Sequence, residues 1–401
     1  MDNAIREFIK KEVKVGKSGL TILDLLFLVG VSIAGFVMRY SMKGYAGADY
    51  NIFIGPWMER IQELGGIQSL GVEVGNYPPL YMYVFTLLSY LPCSYLTSVK
   101  AFFCVFDYIL AAACGFLVYE GRKNKNTGIL MYGIIVLLPT VVADSALWAQ
   151  VDSSYAAFLI LSMYFLAKDK PIKSFVFYGL SFSLKMQSLF LLPLYIVLWV
   201  KKKNMKIWHF LLIPFTYVIT ILPAWIAGRN FKDLLLIYFN HYGEYTEILS
   251  MNRPNAYFLT VIDMLTEYIG GAGVWFTLGL LVCIMYYLAK KDVEVNVEFM
   301  IHAGLLILMI ITFFLPYMHE RYGYVADLLA VAYGLYNIKK FYIPIIAVAC
   351  SLGGYIGFVT GTFPIPYVVL ALGFLYAIYD VAKDLYEKLN EKSLCKGDIR
   401  R

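Results

Sequence analysis

The sequence predicts an all-α polytopic membrane protein, and three observations support that fold class. Of the 401 residues, 60% are hydrophobic and only 15% are charged, and the mean hydropathy is +0.66. Soluble globular domains hold about 45–50% apolar and about 25% charged residues. Apolar runs of roughly 15–25 residues recur along the chain, which is the length of a helix that crosses a bilayer. Lysine-rich stretches separate these runs, as in the cytoplasmic loops of membrane proteins.

The apolar runs and the positive-inside rule together predict twelve crossings with both chain ends in the cytoplasm. The formal net charge of +6 then reflects orientation in the membrane and does not indicate a nucleic-acid partner. The predicted crossings are 19–39, 98–119, 128–147, 154–167, 174–187, 188–200, 207–228, 272–289, 298–316, 322–337, 341–359 and 365–385.

The run 174–200 is predicted to turn back inside the bilayer. Basic connections flank it on both sides, so it must begin and end on the same side of the membrane. Lys185 and Gln187 interrupt the apolar residues near its middle and mark the turn. Each arm is then short, about 20 Å at about 1.5 Å per residue. Short arms fit a cavity within the bilayer better than a hairpin that faces lipid.

The apolar stretch 79–92 is predicted not to cross. A crossing there would place the basic connection 120–127 outside, against the positive-inside rule. We therefore interpret it as an interfacial or re-entrant helix in a first outer loop, 40–97. An ordinary span is the alternative interpretation.

The chain is predicted to form one integral membrane domain over residues 1–401, because no soluble second domain stands out in its composition. A core module would cover 19–228 and carry the outer loop 40–97 with its juxtamembrane helices. C-terminal helices would cover 229–401 and carry a second outer loop, 229–271.

With this topology the unusual polar motifs all fall on the outer side, whereas the inner side receives only basic connections. Such a one-sided distribution is typical of an enzyme whose site faces one aqueous phase. A transporter would place polar residues near the midplane and at both mouths, with broken helices in repeated halves. A flippase or transporter of a lipid-linked sugar remains the alternative.

Two carboxylates are candidates for chemistry. Asp49 follows the first crossing, and a carboxylate at that position can accept a proton from a bound hydroxyl. The alternative is a solvated helix cap. Asp152, in WAQVDSSY, is either an N-cap or a second carboxylate that contacts substrate. Tyr77, in NYPPLY, is held extended by the prolines after it and is expected to shape the floor of an outer pocket.

Several cations are predicted to share that outer pocket. Lys185, with Gln187 beside it, lies inside an apolar run, where an ionisable group is costly and usually functional. His319, Glu320 and Arg321 stand side by side in MHERYGY at the start of a late crossing, and His and Arg at a helix N-terminus suit an anion. Glu320 is expected to orient Arg321 or to pair with Lys185. An interfacial arginine anchor is the alternative.

Arg253, in SMNRPNAY, and His241, in FNHYGEY, are weaker candidates in the outer loop 229–271. The whole set combines one or two carboxylates with several cations at a membrane surface. Cations suit a phosphate and a carboxylate suits an attacking hydroxyl. A sugar linked to a lipid phosphate presents both groups, and its glycosidic bond breaks to release a phosphate that needs no protonating acid.

In their order along the chain, these motifs resemble those of the GT-C glycosyltransferases. The similarity covers roughly residues 20–340: Asp49 in the first outer loop, then YPPL, WAQVDS, a Lys-x-Gln turn and HER in a late loop. The dolichyl-phosphate-glucose glucosyltransferases and bacterial polytopic relatives offer the nearest comparison. The resemblance implies that Asp49 is the catalytic base and that His319, Glu320 and Arg321 lie beside the donor phosphate.

The resemblance implies an inverting enzyme that moves a hexose from a polyprenyl-phosphate donor to an extracytoplasmic glycan or a lipid-linked acceptor. Donor, acceptor and bilayer are then the expected partners. The outer loops lack an Asn-x-Ser/Thr acceptor, which favours a bacterial cell membrane, with the site on its outer face. The chemistry requires no cofactor and no metal, although a divalent ion held by Asp49 and Asp152 stays open.

Overall fold

The computed structural model describes residues 2–15, 18–240, 248–259 and 266–397, and most of them are helical. The α-helices, numbered in chain order, are α1 (Asp2–Lys10), α2 (Ile22–Ser41), α3 (Gly55–Glu63), α4 (Pro79–Leu88), α5 (Tyr95–Arg122), α6 (Lys125–Leu137), α7 (Pro139–Val142), α8 (Asp152–Ala167), α9 (Pro171–Leu184), α10 (Leu192–Lys201), α11 (Leu212–Ile226), α12 (Phe231–Leu235), α13 (Ile237–Asn240), α14 (Thr266–Lys290), α15 (Val297–Phe314), α16 (Tyr324–Tyr336), α17 (Tyr342–Thr360) and α18 (Tyr367–Gly397).

Short segments of other geometry connect these helices. Two π-helical turns follow α2 and α7, at Tyr50–Ile54 and Ala143–Leu147. The strands are β1 (Glu12–Val15), β2 (Ser18–Thr21), β3 (Ser250–Met251) and β4 (Met318–His319); β1 pairs antiparallel with β2, and β3 pairs parallel with β4. The 3-10 turns are Gly66–Gly71, Met186–Leu191, Ile207–Leu211, Ala256–Leu259, Glu320–Gly323 and Ile338–Lys340.

Six helices in the described part of the chain are long and apolar enough to cross a membrane, and a seventh span forms if the bent pair Lys125–Leu137 and Pro139–Leu147 counts as one. This confirms the expectation of an all-α membrane protein. The six helices are Ile22–Ser41, Tyr95–Arg122, Ile207–Ile226, Tyr268–Lys290, Val297–Phe314 and Ile338–Thr360.

The predicted total of twelve crossings is not confirmed. The other five predicted runs form α8, α9, α16, α18 and the helical stretch Met186–Lys201, and none of these qualifies as a span. For three of them the reason is length: α8, α9 and α16 have 16, 14 and 13 residues, fewer than a helix needs to cross a bilayer alone. α16 is also buried from Tyr324 to Leu335, so an apolar run can pack against protein as well as lipid.

The stretch predicted not to cross forms α4, a helix of 10 residues. At about 1.5 Å per residue it rises about 15 Å, against a hydrocarbon core of about 30 Å. It is too short to span alone, in keeping with the interpretation of 79–92. The division of the chain into a core module and C-terminal helices stays a prediction.

Close helix contacts hold the first half of the bundle together. Gly115 of α5 faces Gly128 of α6, and a Cβ on either residue would lie 2.9 Å from the carbonyl oxygen of the other. Small residues at such crossings let two backbones approach, as is common in membrane bundles. α8 packs beside them, and its residues from Asp152 to Ala157 are all buried.

A buried ion pair fixes the C-terminal end of α2. Arg39 Nε lies 2.7 Å from Asp107 Oδ2 of α5, and the two side chains are 3% and 0% exposed. Arg39 also donates to the carbonyl oxygen of Val136 at 2.9 Å. Ser145, in the second π-turn, donates to the same Asp107 oxygen at 2.5 Å. These bonds tie α2, α5 and the π-turn together next to the site described below.

Candidate functional site

Most of the predicted site residues line one cavity of about 1220 Å³. Its walls come from helix ends and from the connections between helices. The described structure therefore brings together segments that are distant in the sequence. The predicted residues that line it are Asp49, Tyr77, Lys185, Gln187, His319, Glu320 and Arg321.

Asp49 and Arg321 are in direct contact. Asp49 immediately precedes the π-turn Tyr50–Ile54, a geometry that is frequent at functional sites. Its Oδ2 lies 3.3 Å from Nη2 of Arg321 and accepts a hydrogen bond of 2.7 Å from Nε2 of Gln150. Both contacts fall on the same oxygen, and no described residue donates to Oδ1. Asp49 thus has one oxygen that fixes its orientation and a second oxygen available to a hydroxyl.

Arg321 lies between an acidic and an aromatic partner. Its Nε lies 3.0 Å from Oε1 of Glu320, and its guanidinium lies 4.9 Å from the ring centre of Trp148. The Glu320 side chain is fully buried, and burial raises its pKa while Arg321 opposes that shift. Glu320 therefore orients Arg321, the first of the two expected roles, and its pairing with Lys185 is not observed. The Arg321 side chain is 13% exposed, so part of it remains accessible from the cavity.

Lys185 pairs with Asp152. Lys185 lies in extended backbone between α9 and the 3-10 turn that precedes α10, so the predicted break falls where expected. Its Nζ lies 2.5 Å from Oδ1 of Asp152. Asp152 is buried and does not line the cavity, so direct contact between Asp152 and a ligand is not supported. The N-cap interpretation of Asp152 is wrong, because Val151 occupies the cap and α8 has no side-chain cap bond.

His319 is not a cation at neutral pH. Burial, followed by the positive charges of Arg321 and Lys185, lowers its pKa to about 3. Its ring packs against Tyr322 at 5.0 Å, and the side chain of Gln187 hydrogen-bonds to Tyr322. His319 therefore offers a ligand a neutral imidazole, and the positive charge in the described cavity lining comes from Lys185 and Arg321.

Strained backbone marks three of the segments around the site. Ala149, Asn252 and Tyr317 have φ angles of 60°, 56° and 62°. Positive φ is uncommon for residues other than glycine and costs of order 1–3 kcal/mol. Ala149 precedes Gln150, whereas Asn252 and Tyr317 flank the paired strands at His319. The strain thus falls on the backbone that aims the site residues.

Two functional candidates were missed by reasoning from the sequence. Gln150 lies within the WAQVDS motif, but an uncharged amide in the sequence does not indicate a hydrogen bond to Asp49. Asp144 is fully buried in the second π-turn, and the described residues donate no hydrogen bond to either carboxylate oxygen. A lone carboxylate in the apolar run VVADSALW was the available signal, since ionisable groups in such runs are costly.

Arg253 is the one predicted site residue that the described structure places apart from the cavity and its ion pairs. It does not line the cavity, and its side chain is completely buried. Its Nη1 donates to Oγ of Ser351 at 2.8 Å. Direct contact between Arg253 and substrate is therefore not supported. His241 lies outside the described residues.

Residues 76–316 match glycosyltransferase family 87, which is more than half of the 401 residues. The chain belongs to glycosyltransferase family 87. Its membrane-capable helices agree with a polytopic glycosyltransferase of the GT-C type, as the sequence motifs suggested. A comparison with curated proteins gives no match.

The family 87 match covers only part of the site. Gln150 and Lys185 fall inside the matched range, whereas Asp49 precedes it and the segment 319–321 follows it. The roles of these outlying residues rest on their geometry in the cavity. Among the described residues, no group of three or more His, Cys, Asp or Glu side chains is arranged to hold a metal ion.

Proposed function

We propose that this family 87 chain is an inverting glycosyltransferase that uses a polyprenyl-phosphate hexose as donor. The acceptor is an extracytoplasmic glycan or a lipid-linked glycan, and Asp49 is the base. The observation that carries the proposal is that Asp49, Arg321 and Lys185 line the same cavity, with Asp49 and Arg321 in direct contact. The cavity therefore offers a base for the acceptor and two cations for a phosphate.

The reaction needs these groups in distinct roles. The acceptor hydroxyl oxygen forms a bond to the anomeric carbon, and its proton passes to Asp49. The bond from the anomeric carbon to the phosphate oxygen breaks, and the lipid phosphate leaves with the electron pair. Positive charge placed where this negative charge develops stabilises the transition state. Lys185 and Arg321 supply that charge.

Both cations already have carboxylate partners, Asp152 for Lys185 and Asp49 with Glu320 for Arg321. A donor phosphate therefore competes with these carboxylates for the cations. When it takes Arg321, it loosens the contact between Arg321 and Asp49. The base is then released for the acceptor hydroxyl in the same step that fixes the leaving group.

A lipid-linked donor is supported by the apolar side chains in the cavity lining. Val274 of α14, Phe358 of α17 and Val368 of α18 belong to this lining. α14 and α17 are among the membrane-capable helices. The first isoprene units of a polyprenyl phosphate would contact these side chains while the phosphate meets the cations.

An outward-facing site in the cell membrane is supported by the order of segments along the chain. α8, α10, α14 and α16 begin near residues that line the cavity, and each ends at a basic connection. The basic connections are 120–127, 167–173, 201–206, 289–294 and 337–340. The positive-inside rule then places the cavity on the opposite, extracytoplasmic face.

The deciding experiment follows the fate of synthetic polyprenyl-phosphate hexoses with the purified protein in vesicles. We expect a new glycosidic bond whose anomeric configuration, read by NMR, is inverted relative to the donor. Movement of the intact donor between leaflets without bond cleavage would instead establish a flippase. A product with retained configuration would contradict a single displacement with Asp49 as base.

A further inference from the structure

We infer that Arg253 is a positioning residue that holds the segment His319–Arg321 in place from behind the cavity wall. The inference deepens the proposed function, because that segment carries the proposed phosphate-binding arginine. Arg253 makes no contact with the cavity, so its effect on substrate passes through the backbone of its neighbours.

Two short strands bring the Arg253 segment against the His319 segment. Ser250 and Met251 of β3 pair parallel with Met318 and His319 of β4. Asn252 forms a further bridge to His319. The two strained residues Asn252 and Tyr317 lie at this junction. The segment 250–253 thus supports the strand that leads into Arg321.

A buried charge network anchors Arg253 itself. Ser351 of α17 accepts a bond of 2.8 Å from Arg253 and donates one of 3.0 Å to Asp327 of α16. Arg253 and Asp327 are both fully buried, and the guanidinium stacks on Phe374 of α18 at 5.0 Å. A buried charge is stable only when it is paired. The segment 250–253 is therefore attached to three helices of the C-terminal half.

Gly323 shows how closely Arg253 lies against the HERYGY segment. A Cβ at Gly323 would lie 2.3 Å from Nη1 of Arg253 and 2.6 Å from its Cζ. Real Cβ atoms do not come this close to another atom, so a side chain at position 323 would force the guanidinium of Arg253 to shift. Gly323 stands two residues after Arg321, in the same 3-10 turn. The guanidinium of Arg253 thus sets the position of the turn that carries Arg321.

Gly354 of α17 completes the support. A Cβ at Gly354 would lie 2.4 Å from the carbonyl oxygen of Asn252 and 3.0 Å from Cβ of Glu320. The backbone of α17 therefore touches the segment 250–253 and the segment of Glu320 at once. Misplacement of a catalytic group by about 1 Å costs on the order of 10²-fold in rate. The distance between Arg321 and Asp49 depends on these contacts.

The test uses a charge-neutral pair of substitutions, since removal of Arg253 alone leaves Asp327 buried without compensation. We expect Arg253→Gln with Asp327→Asn to fold, judged by thermal unfolding in detergent. The value of kcat/KM for the donor should fall about 10- to 100-fold, with the acceptor KM unchanged. A variant that folds and keeps wild-type kinetics for both substrates would overturn the inference.

Gly323→Ala tests the contact with less disturbance of charge. It should lower donor kcat/KM in the wild-type background and add little to the charge-neutral pair, because the shorter glutamine side chain leaves room for the Cβ. Such non-additivity identifies two residues that act through one contact. Gly279→Ala is the control, since a Cβ there meets nothing within 4 Å. Full additivity would show that the two residues act separately.

Hydrogen exchange separates this inference from the proposed function. In the charge-neutral pair, backbone amides of 317–323 should exchange faster than in the wild type, while those of 297–314 stay unchanged. This readout holds even if no donor is ever turned over. Unchanged exchange in 317–323 would contradict the positioning role, whatever the activity proves to be.

Discussion

Arg321 and Asp49 form an ion pair with Nη2 and Oδ2 3.3 Å apart, across a cavity wall assembled from opposite ends of the sequence. The carboxylate is held a second time by Gln150. In the proposed reaction one member of the pair receives a proton and the other meets the departing phosphate. The predictions below follow from this contact and from its neighbours.

The first prediction concerns the base. Asp49→Asn keeps the shape of the side chain and removes its basicity. Loss of a general base typically costs 10²–10⁴-fold, so turnover should fall by about that factor while donor binding persists. The rate of transfer from a synthetic polyprenyl-phosphate hexose measures this loss of turnover. Glu59→Gln, at an exposed position of α3, is the control. Normal turnover in Asp49→Asn would show that Asp49 is not the base.

The second prediction concerns the amide that orients this base. Gln150→Met keeps the length of the side chain but removes the donor to Asp49. A hydrogen bond to a charged group contributes about 1.5–3 kcal/mol, so we expect kcat to fall at least about tenfold. The donor KM should change little, because Gln150 does not contact the proposed cations. Initial rates at saturating donor concentration test this expected fall in kcat. An unchanged kcat would show that Gln150 does not contribute to catalysis.

The third prediction concerns the cations. Arg321→Ala should reduce donor kcat/KM by roughly 10- to 150-fold, the equivalent of one lost charge-assisted bond of about 1.5–3 kcal/mol. Arg321→Lys should recover only part, since the planar fork is lost. Lys185→Ala should cause a similar loss, and it leaves Asp152 buried without a partner, so its folding needs checking. Lys203→Ala, at an exposed lysine, is the control; full activity in both cavity variants would rule out the phosphate site.

The fourth prediction concerns pH. Burial and nearby cations lower the pKa of His319 to about 3, against about 6.5 in an unfolded chain. The unfolded state therefore binds more protons below about pH 6.5, and stability is lost as pH falls from there towards 3. The apparent Tm should drop on acidification from pH 7.5 to 5, and it should drop less in His319→Gln. An equal drop in both proteins would show that His319 is not the group responsible.

The low pKa of His319 also leads to a prediction about the pH dependence of activity. His319 stays neutral across the range in which such an enzyme works, so its titration should leave no acid limb in the pH–rate profile. His319→Gln should keep the shape of that profile even if its height changes. A limb near pH 6–7 that disappears in the variant would indicate a charged His319 in the bound complex.

The fifth prediction concerns orientation. In a chain without its native cysteines, Gly44→Cys should react with an impermeant reagent added outside the cell, and Lys203→Cys should not. Both positions are exposed, and a side chain at Gly44 meets no atom within 4 Å. Labelling of Gly44→Cys from the cytoplasmic side alone would reverse the topology and move the proposed acceptor to the cytoplasm.

The sequence pattern predicted where helices occur better than what surrounds them. α2 and α16 are both apolar, yet α2 exposes many large side chains whereas α16 is buried throughout. Lipid and protein interior select the same residue types, so hydropathy cannot separate them. The helices occur where the apolar runs predicted them, whereas the predicted number of spans is not confirmed, because several of these helices are too short to cross alone.

The site residues were found where charge interrupts apolar sequence. Lys185 and Arg321 stood out because an ionisable group in such a run is expensive. Gln150 carries no charge, so nothing in its sequence context indicated its bond to Asp49. Arg253 was predicted to position substrate. Ser351, which accepts its hydrogen bond, and Asp327, which is bonded to Ser351, lie on two later helices, so the local sequence did not indicate these contacts. The partner of a charge depends on tertiary packing, which no local pattern encodes.

The ion pair between Arg39 and Asp107 has a consequence for how the protein is built into the membrane. α2 emerges from the ribosome well before α5, so Arg39 enters the bilayer before its partner exists. Near the end of α2, a long side chain can reach the headgroups until α5 is made. Asp107 lies in the interior of α5 on a shorter side chain, where an ionisable group without a partner is costly. Insertion of α5 is therefore favoured beside an α2 that is already in place. The two helices then assemble in the membrane in the order in which they are synthesised.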